Sequence, residues 1–189
     1  MHAPLKIAIM AMGGEGGGVL ADWIVDLGEA NGYLAQTTSV PGVAQRTGAT
    51  IYYVELYPAA RAEADGARPV LALMPLPGDV DVVLASELME AGRAVQRGLV
   101  TRERTTLIAS THRIYATVEK MQMADGRFES DKVLEAGKQL AKRAFLFDMR
   151  KLAQESGTVI NAVLFGAMAG SGALPLRREA CEAAIRKAG

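Results

Sequence analysis

Three clusters in the 189-residue chain have residue types and spacings that could do chemistry. The first is Gly13-Gly14-Glu15-Gly16-Gly17-Gly18, set between an apolar run and an amphipathic stretch. In a glycine-rich turn that opens a helix, backbone N–H groups point outward and the helix dipole favours negative charge. The missing side chains let a ligand come close, so such a turn can serve as an anion site. This one departs from the dinucleotide pattern G-x-G-x-x-G: the first glycine would fall at Ala11, and Glu15 puts a carboxylate where a pyrophosphate would sit. At the end of the second strand, where an acidic residue would hold a ribose, stand Thr37, Thr38 and Ser39. The same glycines also suit a tight turn that lets strand and helix pack, and a glycine loop alone does not separate the two uses.

The second cluster is Ser39-x-x-Gly42-x-x-Gln45-Arg46-Thr47-Gly48, which places Arg46 after a Pro-Gly turn and before a strand. Its guanidinium fork is shaped for a carboxylate or phosphate; a solvated loop arginine or an interface ion pair is the plainer use. The third runs from Asn161 to Met168, where Asn161 follows the β-like Thr158-Val159-Ile160 and reads as an N-cap for a helix rich in small residues. His112 follows a strand and reads as a surface histidine, although strand ends in α/β sheets often face a ligand crevice. Cys181 sits beside Glu179 and Glu182 on the last helix and reads as an inert thiol. No Ser-His-Asp, Cys-His or paired-carboxylate pattern stands out along the chain.

The elements that must carry these clusters follow from periodicity. Leu5 to Met12 is a continuous apolar run, as in a strand buried on both faces. Leu20, Trp23, Ile24 and Leu27 keep helical spacing, and Asn31-Gly32 closes that helix. Further strands are expected at Tyr33–Thr38, Ala49–Tyr57, Val70–Leu73, Val80–Ala85, Thr105–Ser110 and Ala144–Asp148. Helices are expected at Glu87–Arg97, at Lys132 to about Lys142 with Asp131 as cap, and at Met149–Ser156, Val159–Ala173 and Leu176–Lys187. Pro58 to Ala67 reads as a loop, and Tyr115–Met121 as a strand or a turn of helix. The sum is an α/β fold, a mostly parallel sheet with flanking helices in one domain over residues 1–189, opened by a Rossmann-like β–glycine loop–α unit.

Composition narrows the function. With 50% apolar and 22% charged residues the chain is not a disordered tail. Lys+Arg and Asp+Glu balance at 21 each, which argues against a nucleic-acid partner, since phosphate-backbone binding needs a surplus of cations. One cysteine and two histidines leave no internal disulfide, iron–sulfur cluster, thiolate zinc site or His-rich metal site, and a reduced, cytoplasmic setting fits. No run approaches the roughly 20 apolar residues of a membrane span. Zero net charge fits a protein that lives in a complex.

Taken together and in order, the three clusters resemble the gamma-type domain of the 2-oxoacid:ferredoxin oxidoreductases. That family opens with G-x-G-G-Q-G after its first strand, matched here by Ala11 to Gly16. Its Gln-Arg-Gly-Gly signature is matched by Gln45-Arg46-Thr47-Gly48, and its Asn before an apolar helix with Gly-Ala by Asn161 to Ala167. The resemblance implies a subunit of an enzyme that oxidatively decarboxylates an aryl-2-oxoacid such as indolepyruvate with coenzyme A, giving an acyl-CoA and reduced ferredoxin. Thiamine diphosphate and the iron–sulfur clusters would sit in a large partner subunit, which would pass electrons to ferredoxin. Gly13, Gly14, Glu15, Gly16 and Gly17 would face coenzyme A or the partner, Gln45 and Arg46 would lie near the thiamine site or the subunit boundary, and Asn161 would organise the same crevice. None of these is expected to transfer a proton in catalysis. A stand-alone nucleotide-binding α/β reductase and a purely structural assembly subunit are the competing readings.

Overall fold

The computed structural model of the protein describes residues 4–41, 49–114 and 129–188. Its centre is a six-stranded sheet in the order β2-β3-β1-β4-β5-β6. The strands are β1 (Leu5–Ala11), β2 (Tyr33–Pro41), β3 (Thr50–Pro58), β4 (Val82–Ala85), β5 (Thr106–Ser110) and β6 (Arg143–Phe147). β1, β4, β5 and β6 pair parallel, whereas β3 runs antiparallel to both β1 and β2. The fold is therefore α/β with a mostly parallel sheet, as the apolar runs indicate.

One feature of the opening unit differs from the expectation. β2 is not the neighbour of β1; the reversed β3 is wedged between them. β2 ends and β3 begins level with the glycine loop. In the register, Ala11 pairs with Thr50, and Thr50 with Pro41.

Alternation of side chains along the strands divides the core between two faces. Ile7, Ile9 and Ala11 turn toward α1 (Gly17–Ala30) and, among other helices, α6 (Ile160–Ser171) and α7 (Arg178–Ala188), where Leu20, Ile24, Phe165 and Cys181 are buried. Ala8 and Met10 turn the other way, onto Ala91 and Ala94 of α3 (Leu88–Gln96). α4 (Ser130–Leu140) lies beside α3 and β6, and α5 (Met149–Glu155) leads from β6 toward α6. Trp23 and Phe165 meet edge to face at 5.8 Å between ring centroids, which ties α1 to α6.

Several local expectations change. Ala59–Asp65 is a short helix, α2, not a loop: four alanines give it strong helix propensity, but only Ala62 is buried, so no apolar stripe marks it. Val70–Leu73 joins no ladder. Its segment is pinned to the sheet by side chains instead, as Gln36 Nε2 donates to the Ala72 carbonyl at 3.0 Å and Thr38 Oγ1 to the Leu73 carbonyl at 2.7 Å. Glu129, not Asp131, stands at the N-cap of α4, and Val159, not Asn161, at that of α6. The expectation for Tyr115–Met121 lies outside the described residues.

At the end of the sheet away from the glycine loop, Lys6, Asp79, Asp81 and Arg104 form a charged cluster. Arg104 Nε donates to Asp81 at 2.7 Å, and both Lys6 and Arg104 pair with Asp79. Burial works against the charge on Asp79, but the two cations outweigh it and hold its carboxyl below the usual range.

Candidate functional site

The site is built where β1, β4 and β5 end. β1 delivers the chain into Met12-Gly13-Gly14-Glu15-Gly16, and two of those glycines are needed for their backbone. Gly14 has φ 84° and Gly16, the N-cap of α1, φ 72°, a region that side chains strain. The Glu15 N–H donates to the Met12 carbonyl at 3.1 Å and closes the turn. α1 carries no acidic residue in its first turn, so its N-terminal field is not cancelled from within.

Two close approaches fix the loop against the rest of the fold. A Cβ at Gly16 would fall 2.6 Å from Asn161 Nδ2. A Cβ at Gly17 would fall 2.5 Å from the Ala11 Cβ and 2.7 Å from the Tyr52 ring. Asn161 is buried; its Nδ2 lies 3.4 Å from the Gly16 carbonyl, and its Oδ1 accepts the Ala162 N–H at 3.1 Å. The first and third sequence clusters, 145 residues apart, are thus in contact. Asn161 is not the N-cap residue of its helix, but it links the two elements: its amide nitrogen faces the loop and its amide oxygen accepts a first-turn N–H of α6.

Glu15 does not project into the space above the loop as a blocking carboxylate. Its side chain is 14% exposed and folds toward the sheet end, where it accepts the Ser86 hydroxyl hydrogen, while Ser86 Oγ accepts the Met12 N–H at 3.1 Å. On its other side, Glu15 Oε1 faces His112 Nε2 at 3.4 Å, beyond ordinary hydrogen-bond length. The His112 side chain is only 7% exposed, so the surface reading is corrected. Ser110 Oγ accepts the Met149 N–H at 3.0 Å and lies 2.7 Å from His112 Nδ1, which fixes the ring beside the sheet end. Serine, histidine and carboxylate stand in a row, yet this is no nucleophile triad: Ser110 is fully buried and its oxygen already holds a backbone N–H.

Two more carboxylates lie within electrostatic reach. Glu87 caps α3 by accepting the Glu90 N–H at 2.7 Å. Burial is the main cause that raises the Glu87 carboxyl, three backbone N–H groups counter it, and Glu15 adds to the rise. Burial pushes Glu90 up to about 7; Arg93 opposes this, and Glu87 and Glu15 add to it. Glu90 Oε1 pairs with Arg93 at 2.7 Å, and its Oε2 is buried with no hydrogen-bond partner among the described residues. Sequence reasoning missed Ser86, Ser110, Glu87, Glu90 and Tyr52. The signal available was position, because Ser86, Glu87 and Ser110 close strands that end at this rim.

A cavity of about 340 Å³ opens between the glycine loop and the start of α6, lined by Gly14, Glu15, Gly16, Arg150, Thr158 and Asn161 among others. That volume is in the small-ligand range. Arg150 is exposed there and has no ion pair among the described residues. Backbone amides at a helix start and a free guanidinium suit anion recognition, and Glu15 is the one acidic group in the lining. Gly13 and Gly17 flank the loop without lining this space. Gln45 and Arg46 lie outside the described residues. No group of three His, Cys, Asp or Glu side chains converges to hold a metal among the described residues. The one cysteine, Cys181, is buried in the core with its thiol pushed up by burial, so the chain has no donor set for a cluster.

The order of the strands bears on the nucleotide reading. In dinucleotide folds the neighbour of the first strand runs parallel to it and offers its C-terminal acid to the ribose. Here β4 runs parallel on one side of β1, but the place on the other side is taken by the antiparallel β3, whose C-terminal end points away from the glycine loop.

The family model for pyruvate ferredoxin/flavodoxin oxidoreductase matches residues 6–188. The chain belongs to that family. Within it, the chain is 27% identical over 191 residues to the indolepyruvate oxidoreductase subunit IorB of Thermococcus kodakarensis, covering 96% of this chain and 84% of that one. Among solved structures, the pyruvate oxidoreductase subunit PORC of Thermotoga maritima shares the fold with a TM-score of 0.62 at 16% identity, over 100% of this chain and 86% of that one. The 2-oxoglutarate:ferredoxin oxidoreductase of Magnetococcus marinus, solved with 2-oxoglutarate, coenzyme A and succinyl-CoA bound, matches with a TM-score of 0.60 at 14% identity. There the chain spans 27% of a longer polypeptide, so the family fold occurs both as a separate subunit and within a larger chain.

Proposed function

We propose that this family member is the small subunit of a 2-oxoacid:ferredoxin oxidoreductase that acts on an aryl-2-oxoacid such as indolepyruvate, giving an acyl-CoA and reduced ferredoxin. The observation that carries the reading is the cavity beside the glycine loop. It offers a helix start, a free guanidinium and no group suited to electron transfer. A site of that kind binds and positions; the electrons and the carbanion chemistry need a companion. Thiamine diphosphate supplies that carbanion chemistry when bound, and it and the iron–sulfur clusters are assigned to a large partner subunit. The phosphates of coenzyme A fit the chemistry of Gly14, Gly16 and Arg150, while Gly13, Gly17 and Asn161 hold the loop in shape. Glu15 is kept from repelling them by its bond to Ser86 and its turn toward His112. Gln45 and Arg46 are assigned to the boundary with the partner, where the Arg46 charge meets a carboxylate or phosphate. The aryl substrate rests on the likeness to the Thermococcus subunit and on the ordered signatures.

Turnover tests this directly. The chain is combined with the large subunit from the same genome, coenzyme A, a viologen dye and either indolepyruvate, pyruvate or 2-oxoglutarate. Dye reduction that requires both polypeptides and is fastest with indolepyruvate is expected. Equal turnover by the large subunit alone overturns a contribution from this chain, and a preference for pyruvate overturns the aryl assignment.

A further inference from the structure

Residues 67–77 cross the face of β2 and β3 as a strap with three prolines, Pro69, Pro75 and Pro77, and one charge, Arg68. Its polarity is inverted relative to an ordinary surface loop. Main-chain groups turn inward, where Ala72 exchanges hydrogen bonds with Gln36 and with the buried Glu55, whose carboxylate accepts the Ala72 N–H at 2.9 Å. Large apolar side chains turn outward: Val70 is 99% exposed, Leu73 69%, Leu76 58% and Met74 54%. Beneath the strap a groove of about 210 Å³ is lined by Val40, Ile51, Met74, Pro75 and Leu99, with Arg97 among its walls. Arg68 and Arg97 are exposed and have no ion pair among the described residues.

We infer that this strap is the docking surface for the large companion subunit, and that the companion presents an apolar surface rimmed by carboxylates. The inference rests on the subunit reading above and specifies where the companion sits. Four side chains this exposed amount to on the order of 500 Å², near the top of the roughly 300–600 Å² found for the largest apolar patch on a monomer. A standard interface takes about 800 Å² from each partner and is depleted of charge at its centre, a pattern that this nearly uncharged strap supplies. Two copies meeting strap to strap would bury on the order of 1,000 Å² in all, the floor for a specific contact. A larger partner that extends past the strap onto the flanking arginines does better. The pinned backbone lowers the ordering cost of docking, because the apolar side chains are already presented.

The test is binding of the full chain to the large subunit of the same genome, by surface plasmon resonance. Val70→Asp/Leu73→Asp is compared with wild type and with Leu140→Asp, a control on α4. All three are checked for an unchanged Tm, which the outward direction of these side chains leads us to expect. The strap variant should bind at least tenfold more weakly while Leu140→Asp binds as wild type. Arg97→Glu should slow association in a way that fades with added salt. If wild type binds and the strap variant binds equally well, or if Leu140→Asp loses as much, the strap assignment is wrong and the subunit reading stands. If wild type does not bind at all, the subunit reading has failed and the strap assignment goes with it. If the isolated wild type sediments as a dimer that Val70→Asp/Leu73→Asp converts to monomer, the occupant is a second copy and the inference is overturned.

Discussion

Gly16 combines two demands that no other residue meets. Its φ of 72° favours glycine, and the position of a Cβ is already taken by the Asn161 amide. Gly16→Ala should therefore cost about 2–4 kcal/mol, of which roughly 1–2 is backbone strain and the rest steric. The two parts separate in a double-mutant cycle. With Asn161→Ala in the background the steric part shrinks, so the cost of Gly16→Ala should fall by about 1 kcal/mol or more in urea unfolding. An undiminished cost would show that the two residues do not press on each other. The sequence displays both residues as members of clusters, because glycines before a helix and an asparagine before an apolar run are local patterns. Their meeting is not local, and neither is the pairing of Glu15 with Ser86 and His112. Those contacts depend on three strands ending at one rim, which no spacing along the chain encodes.

The first helix lies close on the sheet because small residues are placed at both its ends. Gly17 faces the Ala11 Cβ and the Tyr52 ring, and Gly28 faces Leu56 Cδ2 at 2.6 Å from where a Cβ would stand. The obstacles differ in kind. A Cβ on a central strand cannot move, whereas the far end of a leucine can. Gly17→Ala is expected to destabilise by about 3 kcal/mol and to lift the start of α1 off β1. Gly28→Ala should stay within about 1 kcal/mol of wild type, since the gain in helix propensity offsets a small shift of Leu56. Equal losses in thermal unfolding would contradict that ranking. At this scale the sequence is most readable where burial is strongest: the runs of β1, β4 and β5 and the stripe of α1 are plain. It is least readable where tertiary contacts decide. α2 shows no stripe because it buries one alanine, and the strap looks like a strand because its apolar residues face outward instead of inward. The reversal of β3 leaves no trace, since alternation reads the same in either direction.

Buried carboxyls make the stability of the molecule depend on pH, with Glu87, raised by burial, acting in the same direction as Glu90. Asp79 has its carboxyl lowered from 3.8, so the stability it contributes is present above that value and lost as pH falls below it. Glu90 is raised from 4.5 to about 7, so its contribution is complete below 4.5 and lost as pH rises through 7. Stability should therefore peak at about pH 4 and decline toward pH 8. Glu90→Gln should flatten the alkaline side, with a difference from wild type that changes by up to about 3 kcal/mol between pH 5 and pH 8. Asp79→Asn should flatten the acid side. A wild-type profile that is level from pH 5 to pH 8 would remove Glu90 from this role. A practical point follows from the run of β1. Its first residues sit at the Lys6–Asp79 end of the sheet and its last at the glycine loop, a separation of about 20 Å for seven extended residues. An affinity handle fused ahead of Leu5 thus emerges from the pole opposite the cavity, and a sensor surface that captures the protein by that handle leaves the rim open to whatever flows past.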